Sequence, residues 1–532
     1  MRIFTRRDAL KLASVGAVAA LRPALIHAGQ QSNVEVPVWE IFELAMKASS
    51  AGNPFTDVRL SACFSLGHRT VEVDGFYDGE SGGSGNYKVR FMPDSIGRWS
   101  YKISSSLAAL DGLEGSFVAT PPHDDAHGPV HVRNARHFAY ADGTPFFPFG
   151  TTCYAWIHQS EALQQETLKT LRNSPFNKVR MCVFPKSYEY NHNEPSFYPF
   201  ERSASGVNDY TRPNPAFFAH LEKRIADLRT ADIEADLILF HPYDSWGYAT
   251  MPPEADDRYL RYLFARLSSY RNIWWSMANE FDLMKAKSTQ DFDRLFHLIE
   301  EKDAYAHLRS IHYSVTLYDY ARPWITHASL QSTDFAAAPS YLAAWNKPVC
   351  YDEVMYEGNL NRRWGNLSGE EMTRRFWLGV ISGCYVTHGE TYLDPEQPFD
   401  EKSSPPIFWS QGGPLRGSSP RQIAFLRKLL EETASSQTSR TGVTPDPKPY
   451  YLNATAYEAD GKQANTIFYY FDFHQPLWYE FPLPEGIFTA EWIDPLAMTL
   501  TPQPGRYSEK AKMRLPGRPF QAVRFRAVHD AL

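Results

Sequence analysis

Residues 273–283 read IWWSMANEFDL. The stretch opens as an apolar, aromatic-rich run and stops at Asn279-Glu280, an amide beside a carboxylate. A short apolar run of this kind fits a strand buried on both faces, as in a parallel sheet. Such a strand delivers its terminal residues to the rim of the sheet, so the reading depends on whether it has partners.

Seven other segments match it. They are FFPFGTT (146–152), KVRMCVF (178–184), ADLILFH (235–241), IHYSVTL (311–317), ITHASLQ (325–331), KPVCYDE (347–353) and CYVTHGE (384–390). Amphipathic helices lie between them. NPAFFAHLEKRIADL begins with Asn214 as N-cap and Pro215 in the first turn, and places Phe217, Leu221, Ile225 and Leu228 on one face. SGEEMTRRFWLGVISG opens with a capping box from Ser368 to Glu371, and SSPRQIAFLRKLLEE sets Pro420 behind a serine cap. Eight strand-helix units across residues 130–434 predict an α/β fold, a (β/α)8 TIM barrel. A doubly wound open sheet competes, but no Gly-rich phosphate loop follows any strand.

The flanks have a different rhythm. Residues 33–122 hold short β-forming runs such as VRLSACFSL, TVEVDGFYD and YKVRFMPD, cut by turns, which predicts an N-terminal β-sandwich. PPHDDAHGP then marks a boundary. Residues 442–532 return to alternation (NTIFYYFDF, FTAEWIDP, FQAVRFRA), predicting a C-terminal β-sandwich. Residues 1–29 carry Arg6-Arg7 before a small-residue apolar stretch, resembling a twin-arginine export signal with cleavage near Ala28. Leu10 to Leu21 is too short to span a bilayer, so the expectation is a periplasmic or secreted protein with no membrane span.

Composition narrows the partners. The 532 residues are 43% hydrophobic and 22% charged, ordinary for a globular chain. A formal charge of -7 provides no basic field for nucleic acid. Aromatics reach 14%, with 13 Trp and 30 Tyr, and flat aromatic faces suit both β-sandwich cores and the C–H faces of sugars. Cys63, Cys153, Cys182, Cys350 and Cys384 show no metal or disulfide spacing, and neither a metal nor a cofactor is expected. No GxSxG elbow points to a serine hydrolase.

In a barrel of this type the active site lies at the C-terminal strand ends. Those ends carry Tyr154, Lys186, His241, Tyr243, Asp244, Trp246, Asn279, Glu280, His327, Gln331, Glu353, His388, Glu390 and Tyr392. Glu280 and Glu353 stand out because each terminates an apolar strand. Glycoside hydrolysis uses such a pair, one carboxyl protonated toward the leaving oxygen and one ionised at the anomeric carbon. Trp274 and Trp275 are expected to wall one carboxyl and keep it protonated. Asn279 is placed to bond a sugar hydroxyl. Arg180, inside the second strand, is expected to orient Glu353, and His241, Asp244, Trp246, His388, Glu390 and Tyr392 to bind sugar.

The Asn-Glu closing strand four and the Glu closing strand seven resemble the signature of the clan A glycoside hydrolases. KPVCYDEVMYEGN, RMCVFPK, LFHPYDSWG and YVTHGETY are similar to an apiosidase-like branch of that clan. The resemblance covers nearly the whole mature chain and implies a retaining enzyme with Glu280 as acid/base and Glu353 as nucleophile. Two departures stand out. The chain has Asp352-Glu353-Val354 where relatives often carry Gly-Glu-Pro, which makes Glu357 a rival nucleophile, ranked as a substrate-binding residue. The clan's strand-six Tyr or His is matched by His327, with Tyr313 on strand five as the alternative. The expectation is a retaining glycosidase acting on a plant or microbial poly- or oligosaccharide. The aromatic-rich segment from Lys186 to Arg212 suggests exo action. A catalytically inactive carbohydrate-binding protein and a transglycosidase are the alternatives.

Overall fold

The computed structural model describes residues 24–27, 34–393, 408–432, 438–441, 452–459, 464–473 and 475–528. The expected leader therefore lies outside the described residues, apart from Ala24–His27, which pair in parallel with Phe42 to Ala45.

All eight expected strands join one sheet. We number them β1 (Phe149–Thr152), β2 (Lys178–Cys182), β3 (Glu234–Phe240), β4 (Ile273–Ala278), β5 (Arg309–Ser310), β6 (Ala328–Gln331), β7 (Val349–Glu353) and β8 (Tyr385–His388). The order around the sheet is β5-β4-β3-β2-β1-β8-β7-β6, and every pairing is parallel. A parallel bridge between His312 and Ser329 joins the two edges and closes the TIM barrel. Every residue of β3, β4 and β7 is buried, which is why these segments read as continuous runs rather than alternating ones.

The fifth strand departs from expectation. The chain leaves the sheet after His312 instead of running to Leu317. The Asp282 carboxylate explains this: it accepts from the backbone N–H groups of Ser314, Val315 and Thr316 at 2.8, 2.8 and 2.7 Å, bending the segment away from the ladder. Helix caps follow the sequence more closely. Asn214 accepts from Ala216 N at 3.1 Å ahead of helix Pro215–Arg229, and Ser368 from Glu371 N at 3.2 Å ahead of helix Gly369–Ile381.

The barrel floor is plugged by a small sheet, Val130–Arg133, His137–Tyr140 and Pro145–Phe146. Phe138 and Phe146 pack against Trp274 with centroids 5.0 and 6.1 Å apart. Trp275 points outward and donates to Asp303 at 3.0 Å. Neither tryptophan walls Glu280. Trp274 lies six residues below it, about 20 Å along a strand.

The N-terminal domain packs a four-stranded sheet on a five-stranded one around stacked Phe42–Phe117 and Phe64–Phe91. A buried ion network fastens it to the barrel: Arg90 donates to Glu43 at 2.7 Å and to Glu222 at 3.1 Å, and Arg266 to Glu222 at 2.5 Å. The C-terminal domain has a six-stranded sheet and a two-stranded one, and Asp472 in it receives both arms of Arg374 at 2.5 and 2.6 Å. All five cysteines are free, and all but Cys63 are buried.

Candidate active site

Glu280 ends β4 in a left-handed backbone conformation, φ 49° and ψ 53°. This region is costly for a residue with a Cβ and persists where the surroundings impose it. Here the backbone is fixed on both sides: Asn279 N donates to Phe240 O on β3 at 2.9 Å, and Phe281 N to His312 O beyond β5 at 3.0 Å. The turn lifts the Glu280 carboxylate over the barrel mouth. Glu353 ends β7, three strands round the ring, and both line one cleft of ≈ 490 Å³ with Tyr154, Lys186, Tyr243 and Tyr356.

Each carboxylate is gripped by a tyrosine. Tyr154, just beyond β1, donates its hydroxyl to Glu353 Oε1 at 2.5 Å, and Tyr243, just beyond β3, donates to Glu280 Oε2. With its amide nitrogen facing the cleft, Gln331 at the end of β6 donates to Glu280 Oε1 at 3.2 Å. Burial pushes the Glu353 carboxyl up to about 7, and the charge of Glu280 adds to the shift. Around neutral pH the Glu353 carboxyl therefore exchanges a proton and is not permanently ionised.

A buried polar layer sits beneath them. Arg180 on β2 donates to Asn279 Oδ1 at 3.1 Å and reaches Asp236, Asp352 and Ser329 at 3.3 to 3.4 Å. Lys178 bridges Asp236 and Asp352 at 3.0 and 2.8 Å. Although burial opposes ionisation, Lys178 and Arg180 hold Asp352 well below the usual carboxylate range. With its oxygen occupied by Arg180, the Asn279 amide presents its nitrogen upward, 3.5 Å from Glu280 Oε2. Arg180 thus orients Asn279 by a hydrogen bond and reaches Glu353 through its charge alone.

The other expected sugar-binding residues are distributed differently. Glu390 lines the cleft, but its carboxylate is engaged by Arg416 N at 2.8 Å and Gly417 N at 3.0 Å. Glu357 is wholly buried and accepts from Ser418 N, Ser419 N and the Ser419 hydroxyl at 2.7, 3.3 and 2.5 Å. It caps helix Ser419–Glu431 in place of the expected serine, at the positive end of the helix dipole. That occupation removes it as a nucleophile or sugar ligand. Tyr392 donates to Glu357 at 3.1 Å and so braces the same anchor, while His388 is buried against Phe176 with Nε2 3.5 Å from Glu390. Glu357, His388 and Glu390 place possible metal-ligand atoms within 4.8 Å of one another, yet their carboxylates are already engaged by the backbone amides of residues 416–419.

His241 turns away from the cleft to the Phe184 carbonyl at 3.1 Å, and burial lowers it to about 4. Asp244 holds its own loop through Trp246 N and Ala249 N, both at 2.8 Å, and Trp246 donates to Glu194 at 2.8 Å. His327 precedes β6 and packs on Trp274 and Phe138 at the barrel floor, the opposite end from the glutamates. The imidazole near Glu353 is His312, whose Nε2 lies 4.0 Å from Glu353 Oε1. Sequence reasoning missed His312 because strand five was drawn too long. Tyr154, Lys186, Tyr243 and Gln331 were visible as strand-end residues without a sign that they touch the carboxylates.

Paired glutamates in a cleft over the C-terminal mouth of a closed (β/α)8 barrel define a glycoside hydrolase, an enzyme acting on carbohydrate. The comparisons with known proteins agree. The model of the "Apiosidase-like, catalytic domain" family matches residues 132–436, and the chain belongs to that family. Domains of unknown function, DUF5060 and DUF5605, match residues 35–106 and 456–526. A candidate glycoside hydrolase from Bacteroides vulgatus ATCC 8482 is 39% identical over 93% of this chain and 100% of its own, with a TM-score of 0.84. A glycoside hydrolase family 5 protein from the same organism shares the fold at 16% identity, covering 75% of this chain and 94% of its own, with a TM-score of 0.57. No curated protein matches the chain.

Proposed function

We propose that the protein is a retaining, exo-acting glycosidase in which Glu353 is the nucleophile and Glu280 the acid/base. The supporting observation is the pair of buried carboxylates in one cleft, each held by a tyrosine. Glu353 attacks the anomeric carbon, displacing the leaving oxygen, to which Glu280 gives its proton. Glu280 then takes a proton from water, whose oxygen displaces Glu353 and restores both groups. The Tyr154 hydrogen bond and the nearby positive charges of Lys186 and Arg180 oppose the burial that raises Glu353 and favour its ionised, nucleophilic form. Asn279 offers its N–H groups to the hydroxyl beside the reacting carbon. Tyr188, Tyr190, Trp364 and Phe408 crowd one side of the cleft, which supports cleavage from a chain end.

The substrate is a plant or microbial poly- or oligosaccharide, and the Arg6-Arg7 leader supports export to the periplasm or beyond. A panel of aryl glycosides that includes pentofuranosides such as apioside and arabinofuranoside tests the reading. Glu353→Ala should abolish turnover of whichever glycoside is cleaved, and undiminished hydrolysis would remove Glu353 from the mechanism. Glu280→Gln should lose most on poor leaving groups and least on activated ones.

A further inference from the structure

Lys186 follows β2 and lines the cleft with 6% of its surface exposed. A buried ammonium is costly unless compensated, and among the described residues Lys186 makes no ion pair. Its neighbours are aromatic: Nζ lies 4.2 Å from the ring centroid of Tyr154, 4.4 Å from Tyr243 and 4.7 Å from Tyr188. Each ring face attracts a cation electrostatically. Two of these rings are the ones whose hydroxyls hold Glu353 and Glu280. The third, Tyr188, is tied to the Ser410 hydroxyl at 3.2 Å.

One cation therefore lies against the ring faces of both tyrosines that donate to the glutamate pair. A positive charge over a phenol draws electron density from its oxygen and strengthens the O–H as a donor. It also offsets negative charge on Glu353 directly. We propose that Lys186 is the positioning residue of the catalytic carboxylates, acting through Tyr154 and Tyr243 to favour the ionised form of Glu353. This rests on the assignment of Glu280 and Glu353 given above.

The groups facing Lys186 and Glu353 fit a charge role. From β2 come Arg180, which also favours ionised Glu353, and the buried Cys182 thiol, which burial pushes up. His241 beyond β3 is lowered to about 4 by burial, and His312 beyond β5 is driven well below its usual range by burial and by Arg180, so neither adds charge at neutral pH. Burial raises the Tyr356 phenol beyond β7 and keeps it neutral, and Glu189 in the cleft wall is paired with Arg362 at 2.9 Å. Among the described residues Lys186 and Arg180 are the cations that act on Glu353, and Arg180 is engaged below by Asp236, Asp352 and Asn279.

The test uses the full chain, Lys186→Met and Lys186→Arg, with glutamate labelled at the side-chain carboxyl carbon by 13C. The Glu353 signal is assigned from its absence in Glu353→Gln and followed by NMR from pH 4 to 9. Lys186→Met should move the Glu353 midpoint upward by about one pH unit, the scale of losing one nearby opposite charge, and Lys186→Arg should restore it. Because no substrate is involved, this outcome is independent of whether Glu353 proves to be the nucleophile. An unmoved midpoint in folded Lys186→Met overturns the proposal, as does failure of the arginine to restore a shifted one. If Lys186→Met misfolds, Tyr154→Phe, which keeps the ring face but removes the hydroxyl, takes its place: the midpoint should again rise, and an unmoved one overturns the route through Tyr154.

Discussion

The buried Glu353 carboxyl makes the stability of the enzyme depend on pH in a direction that Glu353→Gln should reverse. In the folded protein this group titrates at about 7 instead of its ordinary 4.5. The folded state therefore binds the proton more tightly than the unfolded chain, and stability falls as pH rises from 4.5 through 7. The penalty relative to a group that never ionises is about 1 kcal/mol at pH 5 and about 3 kcal/mol at pH 8. Glutamine has the same shape, accepts the Tyr154 hydroxyl and carries no charge, so it escapes the penalty. At about 2 °C per kcal/mol, Glu353→Gln should melt roughly 2 °C above the wild type at pH 5 and roughly 6 °C above it at pH 8. Differential scanning calorimetry of both proteins at the two pH values reads this directly. A gain equal at both pH values, or a loss at pH 8, would refute the claim that Glu353 is held at a raised pKa.

The remaining expectations concern the surrounding groups. Tyr154→Phe removes a hydrogen bond to a charged carboxylate, worth about 1.5–3 kcal/mol; kcat should drop about 10- to 150-fold with KM nearly unchanged, and a change confined to KM would make Tyr154 a sugar contact only. Glu357→Ala strips the cap from helix Ser419–Glu431 and leaves the N–H groups of Ser418 and Ser419 unpaired, so stability should fall by about 1–3 kcal/mol with the pH–rate profile unmoved. An unchanged melting temperature with a raised KM would return Glu357 to the substrate. Because Glu353 must be ionised to attack, kcat/KM should rise as pH climbs through about 7, and a rate that is flat from pH 5 to pH 8 would contradict that requirement.

The barrel was legible because its strands are buried on both faces and leave apolar runs that cannot be surface segments. Glu280 and Glu353 were legible for the same reason, as charges ending such runs. The supporting cast was not. His327 and His312 both sit beside strand segments, and only the register separates the floor from the mouth. That register was hidden because Asp282, far from IHYSVTL in sequence until the chain folds, bends Ser314 to Thr316 out of the sheet. Trp274 and Trp275 precede Glu280 by a few letters but by about 20 Å of extended chain. Glu357 and Glu390 look like rim carboxylates, yet four consecutive backbone N–H groups at residues 416–419 occupy them, and such a cradle has no side-chain signature. Lys186 reads as an ordinary lysine until the three tyrosines, drawn from three segments, close around it.

The pairing of Glu353 as nucleophile with Glu280 as acid/base is tested most directly by the stereochemistry of the first product. Proton NMR of the anomeric signal during the opening minutes of hydrolysis, before mutarotation, distinguishes the outcomes. Double displacement through Glu353 predicts the same anomeric configuration as the substrate, with the opposite anomer growing in only later. If the inverted anomer forms first, Glu353 activates water instead of forming a covalent bond, and the proposed mechanism is wrong.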